Sequence, residues 1–259
     1  MAKPPDRSTS HDRIVVSVVV PMHNEEDALS SLFSRLEPAL QAITKDYEIV
    51  CIDDGSTDGT LAHLVQRRVR DERIKVISLS RNFGKDIALS AGLDHAEGDA
   101  VIPIDADLQD PPELIGDMVL KWQEGFDVVY GRRAARDADT LPKRFMARAF
   151  YRVHNAMADV RIPFDTGDFR LMDRRVVEAL RTLPERNRFM KGLFAWVGFR
   201  QTGIDYERPA RSEGTTKWNV WSLWNFALDG ITGSTTWPLR IWTYFGLYIA
   251  LGAFGYGAY

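Results

Sequence analysis

Apolar, β-branched runs alternate with segments of helical spacing through the first half of this chain. The predicted strands are 14–20, 47–53, 74–79, 100–105 and 126–130. The predicted helices are 25–43, one that opens from a turn at 55–59 and runs to 69, 85–97 and 111–122. Pro38 is expected to bend or end the first helix, because proline removes a helical hydrogen bond. This alternation predicts an α/β fold, with a mostly parallel sheet that is covered by helices on both faces.

Polar residues follow directly after three of these strands, at 21–25, 53–56 and 105–109. In an open parallel sheet, ligands bind beyond the carboxyl ends of the strands, and these ends meet at one edge. We therefore expect one functional site at that edge, built from all three polar segments.

The third polar segment carries two carboxylates, Asp105 and Asp107. Alternate residues of an extended chain share a face, so the two side chains should point the same way. With the amide of Gln109 they form an all-oxygen cluster, the ligand type that Mg²⁺ and Mn²⁺ prefer. Such a cation can neutralise the charge on a departing diphosphate. An isolated Asp-x-Asp is also typical of a solvated turn, but its position at the tip of an apolar strand favours a metal and diphosphate site.

The second polar segment, 53–59, reads DDGSTDG. Its glycines and Asp58 are explained by a tight turn and a helix cap. The two adjacent acids Asp53 and Asp54 are not, and one of them can accept hydrogen bonds from a nucleobase or a ribose hydroxyl. The segment 81–85, RNFGK, could add donors to the same pocket, and a helix start with exposed charge explains it equally well.

Composition excludes some classes of function. The net charge of −3 argues against a nucleic-acid binder that depends on bulk positive charge. The single cysteine, Cys51, excludes an internal disulfide and lies in an apolar run, so we expect it to be buried in a protein of a reducing compartment. One local stretch, 131–152, is strongly basic, and it could attract anionic substrates or lipid headgroups.

The chain becomes apolar and tryptophan-rich towards its end, and 241–259 contains no charged residue. A bilayer is crossed by about 20 apolar residues, so we expect a transmembrane helix here, with a buried core helix as the alternative. Trp237, Trp242 and Arg240 would anchor its start at the headgroups. The sequence stops where such a span would end, so we expect it to have been cut from a longer membrane protein.

The motifs together resemble a known family. PMHNE (21–25), DDGSTDG (53–59) and DADLQ (105–109), in this order, resemble inverting family 2 glycosyltransferases of the GT-A fold. The later motifs DTGDFR (165–170), RFMKG (188–192), RSEGTTK (211–217) and DGI (229–231) resemble polyprenyl-phosphate glycosyltransferases, namely bactoprenol glucosyltransferases and dolichol-phosphate mannose synthases. The resemblance covers the chain from Ile14 onward.

The resemblance implies transfer of one sugar from a nucleotide diphosphate sugar to a polyprenyl phosphate, with Mg²⁺ or Mn²⁺ as cofactor. It assigns side chains to three groups. The nucleotide-sugar site comprises Pro21, His23, Glu25, Asp53, Asp54, Lys85, Asp105 and Ala106. The metal site comprises Asp105, Asp107 and Gln109, and the phosphate and acceptor site comprises Arg132, Lys143, Arg211 and Lys217.

The catalytic residues on this hypothesis are Asp105, Asp107 and Asp168. A lipid phosphate is already an anion and needs no strong base, so one of the two acids Asp165 and Asp168 is expected to orient the acceptor and the other to serve the loop. A general-base role for Asp168 is the less favoured alternative. Two residues depart from the family pattern. His23 stands where Tyr is common, and Ala147 stands where a Ser often helps to hold the acceptor phosphate.

The predicted organisation has four parts. These are a disordered lead at 1–13, a GT-A catalytic domain at 14–215, an interfacial amphipathic region at 216–236 and a transmembrane helix at 237–259. The interfacial region contains three tryptophans near helical spacing, which is typical of helices that lie on a membrane. The family also implies the inner (plasma) membrane, a catalytic domain on its cytoplasmic side, and a homo-oligomer, often a tetramer.

Several alternatives stay open or are disfavoured. UDP-glucose is the preferred donor, and GDP-mannose or a UDP-linked modified pentose is the alternative. A processive polysaccharide synthase would carry a Gln-x-x-Arg-Trp motif, which is absent. A nucleotidyltransferase would carry a glycine-rich basic loop after the first strand, where this chain has PMHNE. A non-catalytic nucleotide-sugar binder would be expected to lose one of the two metal-site carboxylates, and both are present.

Overall fold

The computed structural model describes residues 15–133, 166–183, 190–206 and 237–259. Contacts divide the chain into two compact units, 1–138 with 163–216, and 139–162 with 217–259.

The first unit contains a seven-stranded sheet. Its strands are β1 (Val16–Met22), β2 (Tyr47–Asp53), β3 (Ile74–Ser78), β4 (Ala100–Pro103), β5 (Val128–Arg133), β6 (Thr166–Asp173) and β7 (Gln201–Tyr206). They lie side by side in the order β3-β2-β1-β4-β6-β5-β7. All neighbouring pairs are parallel except those of β6, which runs antiparallel to both β4 and β5. The predicted mostly parallel sheet is therefore confirmed.

Alternate residues of the central strands enter two separate cores, one on each face of the sheet. In β1, Val18 and Val20 join one core and Val19 joins the other. The helices of the first face are α1 (Leu29–Gln41), α2 (Thr60–Arg70) and α4 (Ile115–Gln123), and those of the second are α3 (Lys85–His95), α5 (Arg174–Arg181) and α6 (Met190–Trp196). Burial on both faces explains why these strands read as continuous apolar runs.

The predicted boundaries differ from the structure by a few residues at most elements. The first predicted helix divides into a 3-10 turn, Glu26–Ala28, followed by α1, and α4 is likewise preceded by a 3-10 turn, Pro112–Leu114. Pro38 lies inside α1, which continues to Gln41, so the expected end of the helix at the proline is wrong. Cys51 is buried as predicted, and burial raises the pKa of its thiol to about 12.

The direction of β6 was not predicted and matters for function. Asp173 at its end pairs with Ala100 at the start of β4, so β6 begins at the edge where β4 ends. The first residues of β6, including Asp168, are thereby brought to the carboxyl ends of the parallel strands.

The amino edge of the sheet holds a buried polar network around Glu48. Its Oε1 accepts hydrogen bonds from the Ser17 hydroxyl (2.5 Å) and the Glu97 amide (2.6 Å), and its Oε2 lies 2.7 Å from Lys75 Nζ. Lys75 also contacts Glu97 at 2.8 Å. Burial raises the pKa of Glu48, but the hydrogen bonds from Lys75, Ser17 and Glu97 outweigh it and leave the pKa below its ordinary value.

The second unit is represented by one helix, α7 (Trp237–Ala258), whose large apolar and aromatic side chains are exposed from Ile241 onward. Within the described part of the chain, no helix combines the length and apolar character needed to cross a membrane. The transmembrane helix predicted at 237–259 is therefore not supported, although a helix does occupy Trp237–Ala258. Trp, Tyr, Thr and Gly are interspersed with its aliphatic residues and lower its hydropathy. The predicted lead at 1–13 and interfacial region at 216–236 lie outside the described residues.

Candidate active site

The loops that follow β1 and β2 are joined by hydrogen bonds. Asn24 adopts a positive φ of 54° and accepts a hydrogen bond from the Thr57 amide at 2.8 Å, while its own amide donates to Ser56 Oγ at 3.0 Å. The Gly59 amide donates to Glu26 Oε2 at 2.8 Å. The two predicted nucleotide-binding segments thus form one continuous wall at the carboxyl edge of the sheet.

The turn at Gly55 lies directly against the loop that follows β3. Gly55 has a φ of 65°, and a Cβ there would lie 2.5 Å from the carbonyl carbon of Arg81. Only glycine allows both this backbone conformation and this approach. Beside it, the buried Asp53 accepts hydrogen bonds from the Ser56 amide and the Ser78 hydroxyl, both at 3.2 Å.

Asp54 fixes the start of α3. Its two carboxylate oxygens accept hydrogen bonds from the backbone amides of Phe83 (2.8 Å) and Gly84 (2.9 Å). His23 Nδ1 lies 2.9 Å from the backbone oxygen of Asp54. The structure therefore gives both predicted ribose or base acceptors, Asp53 and Asp54, partners within the protein, and their contact with a nucleotide stays a prediction.

Pro21 and Glu25 occupy the same region. Pro21 lies in β1 opposite Ile52, and the Glu25 amide donates to Thr60 Oγ1 at 3.0 Å. Both residues border the joined loops, and their contact with a nucleotide stays a prediction.

Three charged side chains meet where β4 ends and β6 begins. Lys85 Nζ lies 2.7 Å from Asp105 Oδ1 and 2.7 Å from Asp168 Oδ2. The lysine side chain is 43% exposed, Asp105 is 30% exposed and Asp168 is 14% exposed. Desolvation lowers the pKa of Lys85, but the charges of Asp105 and Asp168 outweigh it and raise the pKa above its ordinary value. Lys85 is therefore a cation in this site.

The turn after β4 directs Asp105 and Asp107 outward. Ala106 and Leu108 between and beyond them are buried in the core, while both carboxylates are partly exposed. Leu108 takes a positive φ of 56°, and the Gln109 amide donates to Asp107 Oδ1 at 3.2 Å. Asp105 and Asp107 therefore point away from the core, although β4 itself ends at Pro103.

The side chains at this turn suit a hard divalent cation that is bound partly by the protein and partly by a substrate phosphate. Across residues 15–133, 166–183, 190–206 and 237–259, no group of three or more His, Cys, Asp or Glu side chains could hold a metal ion. Mg²⁺ is commonly bound through one or two carboxylates, substrate phosphates and water, not by an all-protein cage. Asp105 and Asp107 supply such a pair, and Asp105 already binds the positive charge of Lys85. The residues therefore fit a cation that is shared with a diphosphate.

Of the predicted phosphate-binding cations, only Arg132 is among the described residues. It lies near the end of β5, exposed, and pairs with Asp205 of β7 through Nη2 at 2.8 Å. The hydrogen bond and charge of Asp205 raise the pKa of Arg132, and those of Arg132 lower the pKa of Asp205. Lys143, Arg211 and Lys217 lie outside the described residues.

Sequence reasoning missed some polar side chains that support the site. Buried Arg170 donates to the Gly167 carbonyl at 2.7 Å and stacks over Phe194 at 3.9 Å, so it braces the start of β6, which carries Asp168. The Tyr206 hydroxyl donates to buried Asp110, which closes the turn after Asp107. Arg170 belongs to the DTGDFR motif and could have been identified, whereas Asp110 and Tyr206 are far apart in sequence.

Comparison with known proteins agrees with this arrangement. The family model described as glycosyl transferase family 2 matches residues 17–181. An uncharacterized glycosyltransferase of Synechocystis sp. is 55% identical over 246 residues, covering 95% of this chain and 77% of the relative. A prophage bactoprenol glucosyl transferase homolog of Escherichia coli K12 is 48% identical over 244 residues, covering 94% of this chain and 80% of the relative.

Solved structures extend the agreement to the fold. Glucosyl-3-phosphoglycerate synthase of Mycobacterium tuberculosis, determined with Mn²⁺, UDP and glucosyl-3-phosphoglycerate, superposes with a TM-score of 0.55 at 21% identity. The match covers 83% of this chain and 76% of that protein. The fold is the predicted α/β GT-A type. The chain is a glycosyltransferase and belongs to glycosyl transferase family 2.

Proposed function

We propose that this enzyme transfers a single sugar from a nucleotide diphosphate sugar to a polyprenyl phosphate, with inversion at the anomeric carbon. UDP-glucose is the preferred donor. The observation that carries the proposal is the cluster of Lys85, Asp105 and Asp168 at the carboxyl edge of a family 2 sheet. The 48% identity to proteins named bactoprenol glucosyl transferase, one of them from Shigella phage SfV, supports the choice of acceptor.

On the donor side, the joined loops after β1, β2 and β3 would hold the nucleotide. Asp105 and Asp107 would hold Mg²⁺ or Mn²⁺ against the diphosphate. The cation would supply neutralisation of the charge that the diphosphate gains as its bond to the sugar breaks. Mn²⁺ in the related synthase complex supports a divalent cation here.

On the acceptor side, the phosphate is already anionic and can attack the anomeric carbon without a strong base. Asp168 lies at the start of β6, 2.7 Å from the ammonium of Lys85. We propose that Asp168 orients the acceptor. Arg132 and the predicted cations Lys143, Arg211 and Lys217 would draw the two anionic substrates together.

The acceptor is a lipid, so we propose that the enzyme works at the cytoplasmic face of the plasma membrane. The exposed aromatic and aliphatic side chains of α7, such as Trp242 and Phe245, support contact with lipid. A homo-oligomer, such as a tetramer, stays a prediction.

The test is transfer of labelled sugar by membranes that contain the protein. UDP-glucose, GDP-mannose and a UDP-linked pentose are each supplied with undecaprenyl phosphate, with Mn²⁺ or with EDTA. We expect a chloroform-soluble glucosyl lipid from UDP-glucose, formed with Mn²⁺ and abolished by EDTA. Product from GDP-mannose or the pentose alone would replace the donor, and product from none would overturn the acceptor assignment. Membranes containing Asp107→Asn protein serve as the matched control.

A further inference from the structure

The ammonium of Lys85 faces the Asp105 carboxylate, where a bound divalent cation is expected. Its ammonium lies 2.7 Å from Asp105 Oδ1 and 2.9 Å from Asp105 Oδ2, so it faces both oxygens of that carboxylate. Its third contact, at 2.7 Å, is with Asp168. Among the residues that the structure describes, no other group donates a hydrogen bond to the Asp105 carboxylate.

The lysine is held in this position from its backbone. It is the first residue of α3, and the residue before it, Gly84, has a φ of 97°. Asp54 binds the amides of Phe83 and Gly84 and so anchors the segment that precedes the lysine. The exposed side chain is otherwise attached only through its flexible methylene groups, so the ammonium can move while the backbone stays fixed.

We propose that Lys85 is an internal counter-ion that holds the Asp105 position in the unloaded enzyme and is displaced from it by the divalent cation. An ammonium and a divalent cation repel each other, and so they compete for the same two carboxylate oxygens. Asp168 provides the second partner with which the displaced ammonium stays paired. Loading of the donor site is thereby coupled to the acid on the acceptor side.

The inference deepens the proposed function and rests on it only for the identity of Asp105 as the cation-binding residue. It differs from a plain nucleotide-binding role for Lys85, because it predicts that removing the lysine improves one property of the enzyme. That property is the affinity of the free protein for a divalent cation.

The experiment measures binding of Mn²⁺ alone to the full chain, without sugar nucleotide, by electron paramagnetic resonance of the unbound ion. We expect Lys85→Met to bind Mn²⁺ about tenfold more tightly than the wild type, because one competing positive charge is gone. Lys85→Arg keeps the charge and should remain within about threefold of the wild type. Unchanged or weaker binding in Lys85→Met, or equal tightening in Lys85→Arg, would overturn the inference.

Two further variants place the effect at the site. Lys121→Met removes an exposed lysine of α4 that pairs with Glu124 at 2.9 Å, and it should leave Mn²⁺ affinity unchanged. In an Asp105→Asn background the gain from Lys85→Met should disappear, and a gain that persists there would contradict the inference. None of these measurements requires sugar transfer, so failure of the proposed reaction and failure of the Lys85 inference give different results.

Discussion

Two lysines, Lys75 and Lys85, each bridge two carboxylates, and they lie at opposite edges of the same sheet. Lys75 joins Glu48 and Glu97 at the amino edge, at 2.7 and 2.8 Å. Lys85 joins Asp105 and Asp168 at the carboxyl edge, at 2.7 Å from each.

The surroundings of the two central carboxylates differ. Glu48 is buried, and its second oxygen is taken by the Ser17 hydroxyl and the Glu97 amide. Asp105 is more exposed, and among the described residues only the ammonium of Lys85 faces its two oxygens. The lysine–carboxylate pair therefore completes the hydrogen-bond network of Glu48 at the amino edge. At the carboxyl edge it leaves the Asp105 oxygens able to accept further bonds from a ligand.

The largest expected effect lies at the carboxyl edge. Asp107→Asn keeps the shape of the side chain but removes a charge from the proposed cation site, so we expect sugar transfer to fall by roughly a thousandfold. The midpoint of thermal unfolding should stay within about 2 °C of the wild type, since the side chain is partly exposed. Full activity of this variant would remove Asp107 from the site.

Gly55→Ala tests the contact between the loops that follow β2 and β3. A methyl group at φ 65° would lie 2.5 Å from the Arg81 backbone, so we expect a loss of about 3 kcal/mol in the free energy of unfolding. Gly116→Ala, inside α4, is the matched control. Its Cβ would meet only Ile43, at 3.9 Å, and the variant should be as stable as the wild type or more stable by up to about 1 kcal/mol. Chemical denaturation measures both.

Exchange of each bridging lysine for methionine separates the two edges. Lys75→Met leaves the buried Glu48 without its cation, so we expect stability to fall by about 1–2 kcal/mol while sugar transfer by the folded protein is retained. Lys85→Met should leave stability within about 0.5 kcal/mol, because Asp105 is 30% exposed to water whereas Glu48 is only 10% exposed. Equal losses of stability in both variants would contradict the assignment of a structural role to Lys75 and not to Lys85.

The smallest expected effect is a dependence of stability on pH at the amino edge. The folded pKa of Glu48 lies below the ordinary value of 4.5, so its contribution to stability is complete above about pH 4.5. It is lost as the pH falls through the lower, folded pKa. Glu48→Gln should therefore lose less stability than the wild type between pH 5 and pH 3, as measured by urea unfolding at each pH. Parallel curves for the two proteins would show that Glu48 does not titrate differently on folding.

Most of the first half of the fold could be predicted because its strands are buried on both faces and read as apolar runs. Residues 47–53 were predicted with the observed bounds, and the predicted polar strand ends do share one edge. The predicted helix 25–43 includes Pro38, and α1 does continue past this proline to Gln41, since packing of the helix on the sheet outweighs the lost hydrogen bond.

The partners of the site residues were harder to predict than the residues themselves. Lys85 was assigned to the nucleotide, yet its position is set by a contact with Asp168 that depends on the antiparallel direction of β6. Asp54 was assigned to the same ligand, and both of its oxygens bind the loop before α3. Contacts between side chains that are far apart in sequence depend on the order and direction of the strands. Local residue patterns do not reveal that order.

The antiparallel pairing of β5 with β6 has a further consequence. Arg132 lies opposite Thr166, so the chain leaves the sheet at 133 and returns at 166 beside its point of departure. The ends of the intervening segment are held together by strand pairing, and each doubling of its length would cost only about 0.6 kcal/mol in closure entropy. A change in chain length between 133 and 166 is therefore expected to cost little in stability, because it leaves the pairing of β5 with β6 unchanged.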